Sequence, residues 1–218
     1  DGRYGRWGGE YCAEEEDLAC QKNHKFSYCP KISVVVPAYR TPEIFLRQMI
    51  ESLEKQSYEN WELVIGNASP EDETMARSLK DCALTGKEKS RIVYKKLEQN
   101  EGIAGNTNQA IAMADGDYVA FLDHDDVITP DALYEMAAKI AAGQGEEQIP
   151  DMLYSDEDKT DGEMTKFMDP HFKPDFNLDL LRSNNYICHF FVVRREIAEK
   201  TGGLRPEYNG AQDYDYIF

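Results

Sequence analysis

Short apolar runs alternate with helical segments along the first two thirds of the chain. The runs at 32–36, 61–65, 92–94 and 118–122 have the length of strands, and the first is apolar almost throughout. A nearly continuous apolar run is typical of a strand that is covered on both faces. The pattern therefore predicts four buried strands.

Polar residues between these runs predict where helices begin. Thr41 is the expected N-cap of the first helix, with Pro42 at its first helical position, and Ser69-Pro70 should open the second in the same way. A third helix is expected after Gly102 and a fourth at 130–142. Strand–helix units of this length predict an α/β domain with a mainly parallel central sheet flanked by helices.

The two ends of the chain depart from this pattern. Beyond residue 143 we expect strands at 152–154 and 186–194, a polar acidic segment at 155–165 and a short helix at 197–200, which together would form the acceptor side of a site. Residues 1–30 lack apolar periodicity, so we interpret them as an extended arm or linker and 31–218 as the domain. Because the chain starts at Asp1 and stops abruptly at Phe218, we expect a fragment of a longer protein, truncated within the domain.

The charge balance narrows the possible partners. With 24 basic and 41 acidic residues among 218, the net charge is −17, and no nucleic-acid partner is expected because phosphate backbones require basic faces. An acidic protein can still bind a nucleotide through a cation that bridges carboxylates and phosphates. No apolar run approaches the roughly 20 residues of a membrane helix, so no membrane segment is predicted in this chain.

The cysteines give no clear metal pattern. There are five, and Cys12, Cys20 and Cys29 fall in the N-terminal arm without the short C-x-x-C spacing of zinc sites. Free thiols are the main interpretation. A small zinc knuckle formed with His24 is the alternative.

Three polar segments follow predicted strands, namely Pro37-Ala38-Tyr39, residues 66–69 and Asp123-His124-Asp125-Asp126. Ligands of such sheets bind beyond the carboxyl ends of the strands, so these segments should meet on one rim. Carboxylates gathered at a strand end repel one another, and a hard divalent cation such as Mg²⁺ or Mn²⁺ relieves that repulsion. A solvated acidic loop, or helix capping by Asp126 and Asp131, is the competing interpretation.

Several stretches of the chain match a known protein family in order and spacing. They are Ile32-Ser-Val-Val-Val-Pro-Ala-Tyr39, Glu51-Ser-Leu-Glu-Lys-Gln-Ser-Tyr58, Trp61-Glu-Leu-Val-Ile65, Asn100-Glu-Gly-Ile-Ala104, Ala114-Asp-Gly-Asp-Tyr-Val-Ala-Phe-Leu-Asp-His-Asp-Asp126, Leu153-Tyr-Ser-Asp-Glu-Asp-Lys159, Phe172-Lys-Pro-Asp175, Asn185-Tyr-Ile-Cys-His189 and Gly210-Ala-Gln-Asp-Tyr-Asp215. Through them the chain from Ile32 to Phe218 resembles the family-2 inverting glycosyltransferases, which have the GT-A nucleotide-diphospho-sugar transferase fold. The later matches are especially similar to bacterial transferases of cell-surface polysaccharide assembly, including rhamnosyltransferase-like members.

The resemblance implies a donor site at the rim. Pro37, Ala38 and Tyr39 would line the pocket for the base and ribose, with the ring of Tyr39 facing the base; simple packing at the strand end is the alternative for Tyr39. Asp123 would lie near the ribose and the metal, and Asp125 would be the direct metal ligand. The Mg²⁺ or Mn²⁺ ion would neutralise the departing diphosphate.

One segment departs from the family pattern. Many relatives carry two adjacent acids after the second strand, whereas this chain has Gly66-Asn67 there, so Asn67 would meet the base with an amide. Asn100 and Gly102 precede the third helix, where amide groups could contact the nucleotide. Capping of that helix is the other interpretation of the asparagines, including Asn106.

The resemblance also implies a catalytic base near the end of the chain. In Gln212-Asp213-Tyr214-Asp215, Asp213 is the candidate that takes the proton from the acceptor hydroxyl, Asp215 is the second choice and Gln212 is a candidate substrate contact. Helix capping is the alternative role for Asp213.

Further substrate contacts are expected in the second half of the chain. Asp156 and Asp158 are candidates for binding sugar hydroxyls, although such an acidic cluster is also typical of a solvated loop. His189 is a candidate contact to the acceptor or phosphate, or a structural histidine.

The sequence thus predicts a metal-dependent inverting glycosyltransferase that moves a sugar from a nucleotide-diphosphate sugar to a glycan or lipid-linked acceptor. The expected location is cytoplasmic, with peripheral attachment at the inner face of the membrane left open. A non-catalytic GT-A-like binding or assembly domain is the alternative. A nucleotidyltransferase is disfavoured because residues 37–42 lack the glycine-rich loop that such an enzyme uses.

Overall fold

The computed structural model describes residues 12–82, 91–144 and 149–218. A six-stranded sheet forms the centre, in the order β3-β2-β1-β4-β8-β5, and a separate two-stranded hairpin pairs β6 with β7. The strands are β1 (Ile32–Ala38), β2 (Trp61–Asn67), β3 (Ile92–Lys96), β4 (Tyr118–Phe121), β5 (Met152–Tyr154), β6 (Glu157–Thr160), β7 (Phe167–His171) and β8 (Phe191–Arg194).

Helices cover both faces of the sheet. They are α1 (Glu15–Asn23), α2 (Glu43–Glu54), α3 (Thr74–Asp81), α4 (Gly102–Ile111), α5 (Ala132–Gly143), α6 (Leu178–Ser183), α7 (Arg195–Thr201) and α8 (Gln212–Ile217), with a 3₁₀ turn at Pro206–Tyr208. Val34 and Val36 face a core shared with α2, α3 and α5, while Val35 faces the core under α4, α6 and α7. Alternate side chains of one strand therefore enter two cores, which explains the unbroken apolar run.

The first four strands are parallel, as the sequence predicts. β1 pairs with β2 so that Ala38 lies opposite Asn67, and with β4 so that Val35 lies opposite Phe121. The carboxyl ends of these three strands therefore share one rim. The predicted α/β class and GT-A architecture are confirmed.

β8 runs antiparallel to β4, with Phe191 opposite Phe121, and β5 runs antiparallel to β8. The rings of Phe121 and Phe191 stack with their centroids 4.4 Å apart. Because the strands run in opposite directions, the residues just before β8 lie beside those just after β4. This pairing brings the segment that contains His189 to the acidic cluster that follows Phe121.

Several predicted boundaries are wrong. α2 begins at Glu43 after Pro42, and Thr41 caps nothing because its buried hydroxyl makes no hydrogen bond within the described residues. α3 begins at Thr74, well past Ser69-Pro70, with Asp72 Oδ1 accepting from Thr74 N at 2.8 Å. Pro42 has an extended backbone and precedes the first turn of α2. After Pro70, a turn in which Asp72 N donates to Ser69 O comes before α3.

The second half also differs from the prediction. The strand expected at 186–194 is confined to β8, and residues 186–190 form a loop in which Cys188 has a positive φ of 41°. The polar segment expected at 155–165 contains β6, which pairs with β7 in a hairpin that its polar sequence did not reveal. The first helix after β8, predicted at 197–200, is α7.

The N-terminal arm is helical where it was expected to be extended, and α1 docks on the domain. Ser57 Oγ donates to Gln21 Oε1 at 2.6 Å, and His24 Nδ1 shares a hydrogen bond of 2.5 Å with Tyr134 Oη. Phe26 packs edge-on against Tyr58, with ring centroids 5.6 Å apart. The first eleven residues of the arm lie outside the described residues. Cys12, Cys20, Cys29, Cys82 and Cys188 form no disulfide with one another.

No helix among the described residues is long and apolar enough to cross a membrane.

Candidate active site

Three ligand-type side chains converge at the rim beyond β4. One ligand atom each from Asp123, Asp126 and His189 lies within 4.8 Å of the others, and among the described residues this is the group of three with metal-ligand chemistry. Asp123 follows β4 directly, and Asp126 N donates to Asp123 O at 3.2 Å in the turn that folds Asp126 back. His189 arrives from the loop before β8, and its Nε2 lies 3.6 Å from Asp123 Oδ2.

The pKa values of both Asp126 and His189 are raised in this cluster. Burial raises the pKa of Asp126 to about 6, against the lowering effect of His189, and the charges of Asp123 and Asp125 raise it further. The side chain of Cys188 raises the pKa of His189 to about 9, against the effect of burial, and Asp123 and Asp126 add to the rise. The carboxylates thus attract positive charge, which here comes from the imidazolium.

Asp125, the predicted direct ligand, stands apart from this group. Its side chain is 56% exposed, and its Oδ1 lies 3.9 Å from His124 Nδ1. The structure therefore groups Asp123 with Asp126 and His189, and the ligand role of Asp125 stays a prediction. Capping of α5 was the alternative role for Asp126 and Asp131. Asp126 does not cap α5, because the residue at the N-cap position is Asp131, and the side chain of Asp131 makes no capping hydrogen bond.

The donor set fits a divalent cation. The imidazole nitrogen suits Mn²⁺ better than Mg²⁺, which prefers ligand sets made of oxygen atoms alone. An imidazole must release its proton before it can bind a metal. A bound cation would therefore replace protonated His189 as the positive charge that offsets Asp123 and Asp126.

Asp213, the candidate base, lies at the start of α8. Burial raises its pKa, the charge of His189 lowers it and that of Asp123 raises it, so Asp213 is within electrostatic reach of the cluster. Gln212 is buried; its Nε2 donates to Asp213 Oδ2 at 3.1 Å and its Oε1 accepts from Gly210 N at 2.6 Å. The two hydrogen bonds of the Gln212 amide thus orient Asp213 and the start of α8. The predicted contact between Gln212 and a substrate stays a prediction.

Asp215 has a different role from Asp213. Its carboxylate, only 10% exposed, accepts two bonds from the guanidinium of Arg205, one of them 2.7 Å long. Arg205 also lies over the ring of Tyr208, 4.5 Å from its centroid. The two hydrogen bonds from Arg205 neutralise Asp215 and anchor α8. Of the two carboxylates of α8, Asp213 is therefore the one without an ion pair to a lysine or arginine among the described residues.

The side of the rim that is predicted to bind the nucleotide is only partly open. Tyr39 is 39% exposed, with the guanidinium of Arg40 5.0 Å from its ring centroid. Ala38 is fully buried, and Pro37 is half-buried. Of the three residues predicted to line this pocket, Tyr39 is the most exposed.

Asn67 is 2% exposed and bonded at both ends of its amide. Its Oδ1 accepts from Ser69 N at 2.9 Å, and its Nδ2 donates to Tyr94 Oη at 3.0 Å. These bonds fix the turn after β2. The amide keeps a second N–H and a second lone pair. Because Asn67 is almost fully buried, these bonds give it a structural role, and its contact with a base stays a prediction.

Asn100 and Gly102 serve the start of α4. Asn100 Oδ1 accepts from Gly102 N at 3.0 Å and from Asn106 Nδ2 at 2.8 Å, and Asn209 Oδ1 accepts from Ala104 N at 3.1 Å. The capping interpretation of the asparagines therefore accounts for this segment, and the amide groups at the helix start are already bonded.

A cavity of about 750 Å³ opens beside the cluster, between α5 and the β6–β7 hairpin, and Asp126 and His189 contribute to its wall. Asp156 and Asp158 also line it, so the predicted sugar contacts do face a space next to the cluster. Asp156 Oδ1 is engaged with Lys173 N at 2.7 Å.

Sequence reasoning missed Glu157 and Lys173. Glu157 Oε2 accepts from His189 N at 3.3 Å, and Lys173 Nζ donates to the carbonyl oxygen of His189. The only signal for Glu157 was its place in the family motif at 153–159, because β6 is too polar to reveal the alternation of a strand. Lys173 had none beyond its place in the family motif at 172–175.

Comparison with known proteins agrees with the fold. The model of glycosyl transferase family 2 matches residues 33–202. An uncharacterized protein of Sinorhizobium fredii is 40% identical over 86% of this chain, and the O-antigen biosynthesis protein RfbC of Myxococcus xanthus is 38% identical over 88%. The chain belongs to glycosyl transferase family 2. It spans 20% and 14% of the length of those two relatives.

Solved structures show the same fold at lower identity. Staphylococcus aureus TarS in complex with UDP superposes with a TM-score of 0.66 at 22% identity, covering 85% of this chain and 53% of that one. A mannosyltransferase from Pyrobaculum calidifontis in complex with GDP-Man and Mn²⁺ gives 0.61 at 17% identity, covering 91% of this chain and 56% of that one. At these identities the likeness concerns the fold.

Proposed function

We propose that this domain transfers a sugar, with inversion, from a nucleotide-diphosphate sugar to a hydroxyl group of a glycan or lipid-linked acceptor, and that Mg²⁺ or Mn²⁺ is required. One observation carries the proposal: Asp123, Asp126 and His189 converge at the rim of the parallel strands, within electrostatic reach of Asp213. The rim is where a sheet of this topology binds its ligand.

Asp123 and His189 would hold the cation together with either Asp126 or Asp125, which gives two alternative ligand sets. The bound cation would supply positive charge to the departing diphosphate. The exposed ring of Tyr39 supports the base on the nucleotide side of the rim.

Asp213 accepts the proton of the acceptor hydroxyl. In an inverting transfer the hydroxyl attacks the anomeric carbon from the side opposite the diphosphate, and loses its proton as the new bond forms. A carboxylate with a raised pKa suits this role because it is a stronger base than an ordinary carboxylate. Gln212 fixes the carboxylate, and the Arg205–Asp215 pair fixes the helix that carries it.

Cell-surface polysaccharide synthesis is the proposed setting. The Myxococcus relative is named for O-antigen biosynthesis, and an Escherichia coli relative, 34% identical over 44% of this chain, is named as a glucosyltransferase that acts on a diphosphoundecaprenol-linked sugar. These names support a lipid-linked or glycan acceptor. The donor sugar and base are left to experiment, and the cytoplasmic location stays a prediction.

The decisive experiment replaces the base. Asp213→Asn should lower kcat by about 10²–10⁴-fold while nucleotide binding, followed by calorimetry with Mn²⁺, stays unchanged. Asp179→Asn, at an exposed carboxylate of α6, is the matched control and should leave kcat unchanged. A normal turnover by Asp213→Asn would contradict the assignment of the base.

A nucleotide-sugar panel tests the function itself. Calorimetric titration with UDP-, GDP- and dTDP-sugars, with and without Mn²⁺, should give binding that depends on the metal for at least one donor. Binding of none of them would favour the non-catalytic binding or assembly domain.

The two ligand sets are separated by paired variants. Asp125→Asn and Asp126→Asn each remove one negative charge and keep the side-chain shape, and the variant that weakens Mn²⁺-dependent nucleotide binding by about tenfold or more identifies the ligand. If neither variant changes the Mn²⁺-dependent affinity for the nucleotide, both ligand sets are contradicted.

A further inference from the structure

We propose that Lys173 and Glu157 form a positioning pair that holds His189 in place for the cation and diphosphate. This inference rests on the proposed function and concerns two residues of the β6–β7 region that do not themselves reach the cluster. His189 belongs to a loop, and a loop residue needs support from its surroundings if its side chain is to keep a fixed geometry.

Lys173 is a buried cation with three oxygen partners. Its side chain is 1% exposed, and its Nζ donates to Ile187 O at 2.6 Å and to His189 O, and lies 3.4 Å from Glu157 Oε2. Burial lowers the pKa of Lys173, while Glu157 raises it. An ammonium group so enclosed cannot contact a substrate, and its three bonds all go to the loop or to β6.

Glu157 completes the support from the other side. Its Oε2 accepts from His189 N at 3.3 Å, and its Oε1 pairs with His171 Nδ1 at 3.2 Å. Both backbone polar groups of His189 are therefore bound by one ion pair, the N–H by Glu157 and the carbonyl by Lys173. This double attachment fixes the peptide units on both sides of the imidazole.

The pair is itself anchored. Asp156 Oδ1 accepts from Lys173 N at 2.7 Å, and His171 ties Glu157 to β7. Loss of the ammonium would leave two loop carbonyls without a donor and Glu157 without its cation, so the loop would have to rearrange to rehydrate them. The expected consequence is a displaced imidazole within a domain whose parallel sheet is unchanged.

The test uses Lys173→Met, which keeps most of the side-chain volume and removes the charge. Lys166→Met, at an exposed lysine of the same hairpin, is the matched control. Calorimetry measures the affinity for whichever of UDP and GDP binds the wild-type domain better, with and without Mn²⁺. We expect Lys173→Met to weaken Mn²⁺-dependent binding by about tenfold, with little change in the metal-free affinity and none in the control.

A double variant separates positioning from general destabilisation. If Lys173 acts through His189, then Lys173→Met should add nothing to His189→Ala, and the double variant should bind the nucleotide with Mn²⁺ as His189→Ala does. A purely structural role of Lys173 would make the two losses additive. Additive losses, or a His189→Ala variant with wild-type affinity, would overturn the inference.

A direct readout of the imidazole completes the test. Paramagnetic broadening of the His189 ring signals by Mn²⁺ in the presence of the nucleotide should be strong in the wild-type domain and weaker in Lys173→Met. If Lys173→Met does not fold, Glu157→Gln, at a half-exposed position, removes the other half of the pair and should show the same loss to a smaller extent.

The outcomes distinguish this inference from the proposed function. A wild-type domain that binds neither nucleotide with Mn²⁺ would overturn both. Wild-type binding together with unchanged binding in Lys173→Met and Glu157→Gln would overturn the positioning role alone.

Discussion

The parallel strands of the central sheet and the antiparallel β6–β7 hairpin are stabilised by different means. In β1, β2 and β4 nearly every residue is buried, and the side chains enter apolar cores on both faces. In the hairpin, β6 and β7 are largely exposed, and the contacts to the rest of the domain are ionic or polar. Lys173 with Glu157 is the main example at the hairpin, and Arg205 with Asp215 is a second polar pair, at α8.

This difference separates stability from chemistry. Apolar burial is not directional and stabilises the parallel half whatever its ligands do. Polar pairs are directional, so they fix the positions of His189 and Asp213 while adding less to the free energy of unfolding. The two regions should therefore respond differently to substitution.

The largest effect on stability is expected in β2. Ile65→Ala removes a fully buried side chain and should cost about 2–5 kcal/mol of unfolding free energy, measured by urea denaturation. Phe167→Ala in β7, where the ring is 52% exposed, is the control and should change the unfolding free energy little. A larger loss from Phe167→Ala would remove the contrast between the two halves.

Asp126→Asn should stabilise the metal-free domain. The folded-state pKa of about 6 lies above the ordinary value of 3.8, so ionisation of Asp126 destabilises the fold progressively as pH rises from about 4 through 6. The variant should gain roughly 1–3 kcal/mol at pH 7.5 and nothing near pH 4, measured by denaturation without metal at both pH values. A gain that does not depend on pH would show that charge is not its cause.

Tyr134→Phe tests whether the N-terminal arm belongs to the stable half. The variant removes the hydroxyl that bonds His24 and keeps the ring against Phe26, so we expect a loss of about 0.5–1.5 kcal/mol. Limited proteolysis should cut near α1 sooner than in the wild type. Unchanged cleavage and stability would mean that this hydrogen bond does not hold the arm.

The smallest change in stability is expected for Arg205→Lys. Arg205 is exposed and the positive charge is kept, so the melting temperature should hardly move, but lysine cannot form the two-bond fork to Asp215. Because α8 carries Asp213, kcat should fall a few-fold with nucleotide affinity unchanged. A shift in the melting temperature with normal kcat would reverse this expectation.

The sequence predicts the parallel half well because its signal is local. The apolar runs of β1, β2 and β4 mark strands buried on both faces, and the order of strands and helices then determines which ends share a rim. Asp123 could be placed at that rim for the same reason, since it follows β4 directly.

The second half could not be predicted in the same way because its signal is not local. The hairpin strand β6 is too polar to show a buried face, and the segment before β8 contains apolar residues that form a loop. The grouping of His189 with Asp123 depends on the antiparallel register of β4 and β8, which no pattern in the sequence specifies. Asp126 was not among the predicted ligands because it could also start the next helix, whereas in the structure a turn folds it back onto Asp123.

The order of the strands also has a consequence for how the chain acquires its shape. β8 lies between β4 and β5, so β5 is complete before the strand that it must pair with has been made, and the open side of β4 stays unpaired until the chain reaches residue 191. During synthesis the parallel strands can collapse early, with one unsatisfied edge exposed to neighbouring chains. The long-range pairing of β8 with β4 then protects that edge and brings His189 beside Asp123 in the same step, so the cluster of Asp123, Asp126 and His189 forms only once the antiparallel strand is in place.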